Sequence, residues 1–221
     1  LKECGQRLCI LLGSPVDLVS NIIEQYNISA VFSNSQTGFY ENDNWKSLKD
    51  KYSTLDFTSV ESSTLFANQQ LTHIDEFPKT FSKFRHHVDS IDYKIDPLIN
   101  MLEQTELNLP AALSVESSRL PSVDNSSPKP SFVGGEKSAL EHLKTYLLTT
   151  APSSYVDTRN ELEGWSLSTK LSPWLANGCL SPRKVVASLL EYERQFGENK
   201  STRWIYFELL WREYFQWYAY H

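Results

Sequence analysis

The sequence predicts an α/β domain followed by an all-α domain, and three observations carry that reading. Residues 7–66 alternate short apolar runs with amphipathic stretches, the pattern of parallel strands joined by right-handed helical crossovers. Five of the six tryptophans (Trp165, Trp174, Trp204, Trp211 and Trp217) fall in residues 151–221. That stretch also holds eight basic and eight acidic side chains, so the formal net charge of −6 resides in residues 1–150. Two regions with different jobs are the simplest account. The expected bounds are an α/β domain over 1–90, a connector over 91–131 and a helical domain over 132–221.

The elements follow in order. Residues 8–12 (Leu-Cys-Ile-Leu-Leu) form a continuous apolar run closed by Gly13, which predicts a strand buried on both faces. Ser14 and Pro15 supply a cap and a first-turn proline, and Val16, Val19, Ile22 and Ile23 the apolar stripe of the helix they open. A strand is expected over 28–32, a helix over 42–52 and a strand over 55–60. The segment 107–130, rich in Ser, Pro and Asn, reads as a long surface connection. Gly134-Gly135-Glu136 then opens a helix with Ala139, Leu140, Leu143, Tyr146 and Leu147 on its apolar face. Two more helices are expected over 182–196 and from 202 to the end. The chain starts at Leu1 rather than Met and stops at His221 inside an aromatic helical segment. Both ends are therefore expected to be cut, leaving the α/β domain without its start and only the first part of the helical domain.

Composition removes several classes of function. With 40% hydrophobic and 22% charged residues over 25.4 kDa, the chain can bury a core. A pI near 5.4 argues against a wholly basic surface but leaves room for one local basic cleft. No apolar run approaches the roughly 20 residues that span a bilayer, so a soluble intracellular protein is expected, cytoplasmic if its source is bacterial. Cys4, Cys9 and Cys179 stand at no metal-ligand spacing, so neither a disulfide scaffold nor a metal site is expected. The five histidines show no catalytic pairing, and the glycine-rich phosphate loops and the GxSxG elbow are absent. Neither a hydrolase nor a P-loop enzyme is expected.

Two constellations remain. Ser168, Thr169, Lys170 and Ser172 gather hydroxyls and an ammonium just before a helix start at Ser172-Pro173, a donor set suited to phosphate. A serine cap followed by an ordinary loop is the plainer alternative, and composition alone leans to it. On a helix, Trp204, Glu208, Trp211 and Phe215 share one face at spacings of four, three and four. Aromatic residues on such a stripe are usually core. An unpaired carboxylate among them is costly there and fits better in the wall of a cavity that holds a polar ligand. Arg159, Arg183, Lys184, Arg203 and Arg212 would supply positive charge for a phosphate backbone, although scattered basic residues are more often simply solvated.

Three ordered motifs then carry a resemblance. Tyr155-x-x-Thr158-Arg159-Asn160 is followed by the run from Ser168 to Arg183, which begins STKLSPWLA, and by FELLWREYF from Phe207 to Phe215. Together these resemble the photolyase/cryptochrome family. The TRN element, Lys170 within STKLSPWLA, and Gly134-Gly135-Glu136 are most similar to the DASH class of cryptochromes. Looser agreement comes from Gly13-Ser14-Pro15, Ser63-Thr64-Leu65 and the stretch from Phe77 to Arg85, so nearly the whole chain is covered.

The resemblance implies an incomplete Rossmann-like parallel α/β antenna domain and a helical domain that binds FAD. By position, Tyr155 would pack against the flavin, and Ser168, Thr169, Lys170, Leu171 and Ser172 would hold the FAD diphosphate. Arg159 would contact a DNA phosphate. Glu208 and Trp211, the implied catalytic residues, would hydrogen-bond and stack on a flipped-out pyrimidine dimer. Glu41 matches the carboxylate that holds a folate antenna (methenyltetrahydrofolate) in some relatives, while Gln36 stands where other DASH-like sequences have their glutamate. Ile205 replaces a flavin-contacting tryptophan of some relatives.

The leading expectation is blue-light-driven repair of cyclobutane pyrimidine dimers in single-stranded DNA by electron transfer from reduced flavin, in a protein that is monomeric when complete. The 221 residues alone are expected to be inactive, nearly colourless and prone to aggregate. One alternative is a blue-light photoreceptor flavoprotein that signals through a partner. Another is a degenerate, non-catalytic domain that binds nucleic acid or protein.

Overall fold

Ser14 caps the first helix as the sequence predicts, its hydroxyl accepting the Asp17 amide at 3.5 Å. The structure is a computed structural model that describes residues 8–67, 77–90, 115–119, 132–161 and 163–221. Helix α1 (Pro15–Tyr26) buries Ile23 and ends at Asn27, whose φ of 49° is the left-handed conformation that asparagine tolerates at a helix end. Strand β1 (Ala30–Asn34) pairs in parallel with β2 (Asp56–Val60), Ala30 opposite Asp56 and Asn34 opposite Val60. Helix α2 (Phe39–Lys51) is the crossover between them, so the expected βαβ unit forms with bounds moved by at most three residues. Trp45 of α2 meets Phe57 of β2 edge to face at 5.1 Å, which seats the helix on the sheet.

The expected strand over 8–12 does not form. Leu8 and Leu12 are exposed, and the segment runs beside residues 115–118 without a ladder. The Ile10 and Leu12 amides donate to the hydroxyls of Ser117 and Ser118, at 3.1 and 3.0 Å. The Ser118 amide donates to the Ile10 carbonyl at 2.7 Å, backbone to backbone. A strand needs a repeating backbone partner, which apolar side chains do not supply by themselves. Residues 115–119 are the described part of the expected 91–131 connector; the rest of it lies outside the described residues.

The chain divides into two compact units, residues 1–60 with 99–128 and residues 61–98 with 129–221. The expected boundary at 90 thus falls elsewhere, and the cause is hydrophobic. Leu65 and Phe66 are 0% and 1% exposed, and helix α3 (Phe81–Ser90) buries Phe81, Phe84 and Val88 in the same cluster as Leu171, Trp174, Tyr214 and Trp217. Spacings of three and four turn those three side chains to one face of α3.

The second unit continues as α4 (Glu136–Leu147), α5 (Ala151–Thr158), a single 3₁₀ turn (Trp165–Leu167), α6 (Ser172–Ala176), α7 (Pro182–Phe196) and α8 (Lys200–Tyr220). Helix α7 matches its predicted span. Helix α8 starts two residues earlier than predicted because Asn199 and Thr202 form a reciprocal cap: the Asn199 side chain accepts the Ser201 and Thr202 amides, and the Thr202 hydroxyl accepts the Asn199 amide. Helix α8 packs most extensively on α5, and this pairing builds the site.

Candidate functional site

A cavity of about 730 Å³ opens in the second unit, and eight of the residues singled out by the sequence line it. Tyr155 comes from α5 and Arg159 from the cap at its C-terminal end. Ser168, Thr169, Lys170 and Leu171 come from the loop that leads into α6, Ser172 is the first residue of α6, and Glu208 comes from α8. Leu175, Ile205 and Leu209 add apolar wall, so the cavity combines a polar side with an apolar one.

The loop is held from behind. The Thr158 hydroxyl donates to the Leu167 carbonyl at 2.7 Å, and His142 Nε2 lies 2.8 Å from the Thr169 carbonyl. A carbonyl only accepts, so that imidazole nitrogen carries a proton. The His142 ring is fixed in turn by stacking on Trp174 at 5.0 Å and by the edge of Trp165 at 5.2 Å. Trp174 donates its indole N–H to the Val133 carbonyl at 2.8 Å, which ties in the segment before α4. Between the braced Thr169 and the buried Leu171, Lys170 adopts a φ of 51°, a conformation a lysine keeps only where its neighbours hold it. Helix α6 has five residues, so hydroxyls and the ammonium, not a helix dipole, are the loop's main assets for an anion.

At the other side of the cavity, Glu208 Oε1 accepts from Arg159 Nη1 at 2.8 Å and from Trp204 Nε1 at 2.9 Å. The Arg159 guanidinium lies 4.9 Å from the centre of the Trp204 ring, a cation–π contact. Arg159 Nε is buried and bonds to no described residue. Burial pushes the Tyr155 phenol up to about 12, helped by the Glu208 charge and opposed by Arg159, so its hydroxyl stays neutral at physiological pH.

With this geometry in hand, known proteins place the chain. A DNA photolyase family model matches residues 1–102. The chain is 38% identical over 224 residues to a cryptochrome DASH of Idiomarina loihiensis, covering 99% of this chain and 48% of that protein. It is also 38% identical over 225 residues to a cryptochrome DASH of Vibrio parahaemolyticus, with the same coverage. The crystal structure of a Synechocystis sp. cryptochrome superposes with a TM-score of 0.85 at 29% identity, over 100% of this chain and 47% of that one. The chain belongs to the photolyase/cryptochrome family. It spans about half the length of the curated relatives it matches. A class III photolyase of Agrobacterium tumefaciens, at 20% identity and a TM-score of 0.75, shares the fold.

In this photolyase/cryptochrome chain the remaining predicted site residues, Trp211 and Glu41, stand outside the cavity lining, while Arg212 of the basic set lines it. Of the aromatic stripe on α8 only Glu208 lines it. The Trp211 ring lies face to face with Phe81, centroids 3.7 Å apart and planes 12° apart, and also packs on Phe215 at 5.7 Å. Glu41 belongs to the first unit, exposed in the first turn of α2, where its carboxylate folds over Gly38. Its negative charge in the first turn suits the helix N-terminus. Gln36 is exposed in the preceding loop.

The basic residues divide sharply. Arg212 Nη1 donates to the Ser63 carbonyl at 2.6 Å and Arg183 Nε to the Thr64 carbonyl at 3.0 Å, so both grip the 63–66 segment. Arg203 pairs with Glu198. Two of the five positive charges considered for a phosphate backbone, Arg183 and Arg212, therefore serve the fold, because backbone outside regular structure next to a core needs donors for its carbonyls, and Arg203 is taken up by an exposed ion pair. Sequence reasoning missed two groups. His142 is grouped in the sequence with histidines that show no catalytic pairing, and Glu213 is not singled out at all. Glu213 is fully buried: its Oε2 accepts the Leu65 amide at 2.8 Å, and its Oε1 the Phe66 amide at 3.0 Å and the Trp217 indole N–H at 2.8 Å. The visible signal was the four-residue spacing of Glu213 and Trp217, which repeats that of Trp204 and Glu208.

Proposed function

We propose that the protein binds FAD in this cavity and uses blue light to split cyclobutane pyrimidine dimers, with single-stranded DNA as the preferred substrate. The observation that carries the reading is convergence: residues from α5, the 168–172 loop and α8, far apart in sequence, line one cavity. The donor set fits the group. Three hydroxyls and an ammonium suit a diphosphate, and the apolar wall suits a ring system.

When bound, FAD would supply a reduced, light-absorbing ring whose excited electron drives the splitting. The chain's own part is binding and orientation. Ser168, Thr169, Lys170 and Ser172 hold the diphosphate, with the buried Leu171 anchoring the loop between them. Tyr155 packs against the flavin as a neutral phenol. Glu208 accepts an N–H from the pyrimidine edge, and Arg159 keeps its Nη1 on Glu208 while its other terminal nitrogen meets a backbone phosphate when DNA enters. Trp211 stacks on the lesion. An antenna folate at Glu41 in the α/β unit completes the reading.

The test is illumination of the reduced, flavin-loaded protein with a single-stranded oligonucleotide that carries one dimer. Repair should need light and reduced flavin, and Glu208→Gln should slow it severely. Dimers left intact would end the repair reading.

A second reading, a blue-light photoreceptor that signals through a partner, is favoured by one observation: the Trp211 ring is already stacked on Phe81. Trp211→Ala separates the two. A repair enzyme should lose about 1–3 kcal/mol of lesion affinity with the stacking platform, and a receptor should keep its photochemistry.

A further inference from the structure

Two donors meet on one oxygen of Glu208. Trp204 Nε1 and Arg159 Nη1 both bond to Oε1, and no other described residue bonds to this carboxylate. Oε2 is therefore its uncommitted acceptor. Trp204 itself does not line the cavity; it stands one helical turn before Glu208 on α8, with its ring beneath the Arg159 guanidinium. A glutamate has a long, rotamer-rich side chain that would otherwise sample several directions. A rigid indole at i and a carboxylate at i+4 fix one of them, because the helix sets the distance between the two Cα atoms. The cation–π contact keeps the second donor over the same ring, so both donors arrive on the same oxygen.

We infer that Trp204 is the positioning residue of Glu208: it commits Oε1 so that Oε2 alone meets the ligand, as an acceptor for one N–H. This sets a chemical filter. A ligand edge that presents a donor, such as the imide N–H of a thymine, is matched, and one that presents only carbonyl oxygens is rejected, since neither carboxylate oxygen can donate. The choice of ligand rests on the reading of the cavity proposed above; the positioning of Glu208 does not.

The experiment has two arms. In the first, the chain is labelled with nitrogen-15 at tryptophan, and the Trp204 indole signal is assigned by its disappearance in Trp204→Phe. Glu208→Ala should shift that signal and speed its exchange with water while the indole of Trp217, bonded to Glu213, stays in place. A Trp204 signal indifferent to Glu208→Ala overturns the inference. This arm needs no ligand, and if Trp204→Phe fails to fold the signal is assigned by its disappearance in Trp204→His, so that this arm still decides alone.

In the second arm, binding of a thymidylate oligomer that carries one cyclobutane dimer is compared with the undamaged oligomer. Loss of one hydrogen bond to a charged group should lower the preference for the dimer about tenfold in Trp204→Phe. Glu208→Gln should lower it as well, and the double variant should lose no more than the worse single one. Trp204→His, which retains a ring N–H, should recover part of the loss. Losses that multiply would show Trp204 acting independently of Glu208 and overturn the inference. A wild-type protein with no preference for the dimer, alongside a positive first arm, would sink the ligand reading and support the positioning of Glu208.

Discussion

Helix α8 contains the same local device twice, with opposite outcomes. Trp204 donates to Glu208 at 2.9 Å and Trp217 donates to Glu213 at 2.8 Å, each pair four residues apart. Around Glu213 the protein supplies every further partner: the amides of Leu65 and Phe66 complete both oxygens, and the residue is 0% exposed. Around Glu208 the described residues supply only Arg159, and the side chain remains 37% exposed on a cavity wall. The indole–carboxylate pair is thus neutral as to role. What decides is the third partner. When it is backbone of the same chain the pair becomes a clamp, and when that place is left open the pair becomes a site.

The largest expected effect lies at the clamp. Glu213→Ala leaves two amides and an indole N–H buried without acceptors, and at about 1–3 kcal/mol for each unmet group the loss of stability should be about 3 kcal/mol or more. Glu208→Ala should cost less than about 1 kcal/mol, since the Arg159 and Trp204 donors it frees are only part-buried and can reach water. Denaturant midpoints measured side by side check this, and equal losses would break the comparison between clamp and site.

The next effect is a pH dependence that only the clamp should show. Burial raises the Glu213 carboxyl above its ordinary 4.5, against the pull of the Leu65 and Phe66 amides, the Trp217 N–H and Arg212. A carboxyl whose folded value exceeds its unfolded one holds its proton more firmly in the native state. Its contribution to stability is therefore complete below 4.5 and declines as pH rises through the folded value. The stability of the wild type relative to Glu213→Gln should accordingly fall as pH rises above 4.5. A difference that stays flat would show the three donors cancelling the burial.

Legibility in the sequence followed the range of the physics involved. Helices α1, α4 and α7 were readable because cap residues and a 3.6-residue period are local. The 168–172 loop, Arg159 and Glu208 were readable as ordered motifs, and the cavity gathers them. Residues 8–12 misled because a strand depends on a partner elsewhere in the chain, and here serine hydroxyls take the place of a ladder. Glu213 escaped notice for a similar reason: its two backbone partners lie 148 and 147 residues away. Trp211 was legible as an aromatic on a helix face, but its stacking on Phe81 follows from α3 packing against α8.

The smallest expected effect is the sharpest check on the comparison, because each carboxylate has its own phenol as a reporter. Tyr155 is pushed up to about 12 by burial first and by the Glu208 charge second. Tyr206 is also raised to about 12, by burial first, then by Asp89 and Glu213. Removing a nearby negative charge makes a phenolate easier to form. Glu208→Gln should therefore lower the titration of Tyr155 and leave Tyr206 in place, while Glu213→Gln should lower Tyr206 alone. With eleven tyrosines in the chain, phenolate absorbance is read as a difference against Tyr155→Phe and Tyr206→Phe. In Tyr155→Phe the alkaline limb of stability should also flatten, because a phenol raised in the folded state contributes stability below 10.0 that is lost as pH climbs through about 12. Were one substitution to move both phenols, the two carboxylates would form a single electrostatic unit, and the division of α8 into a clamp and a site would fail.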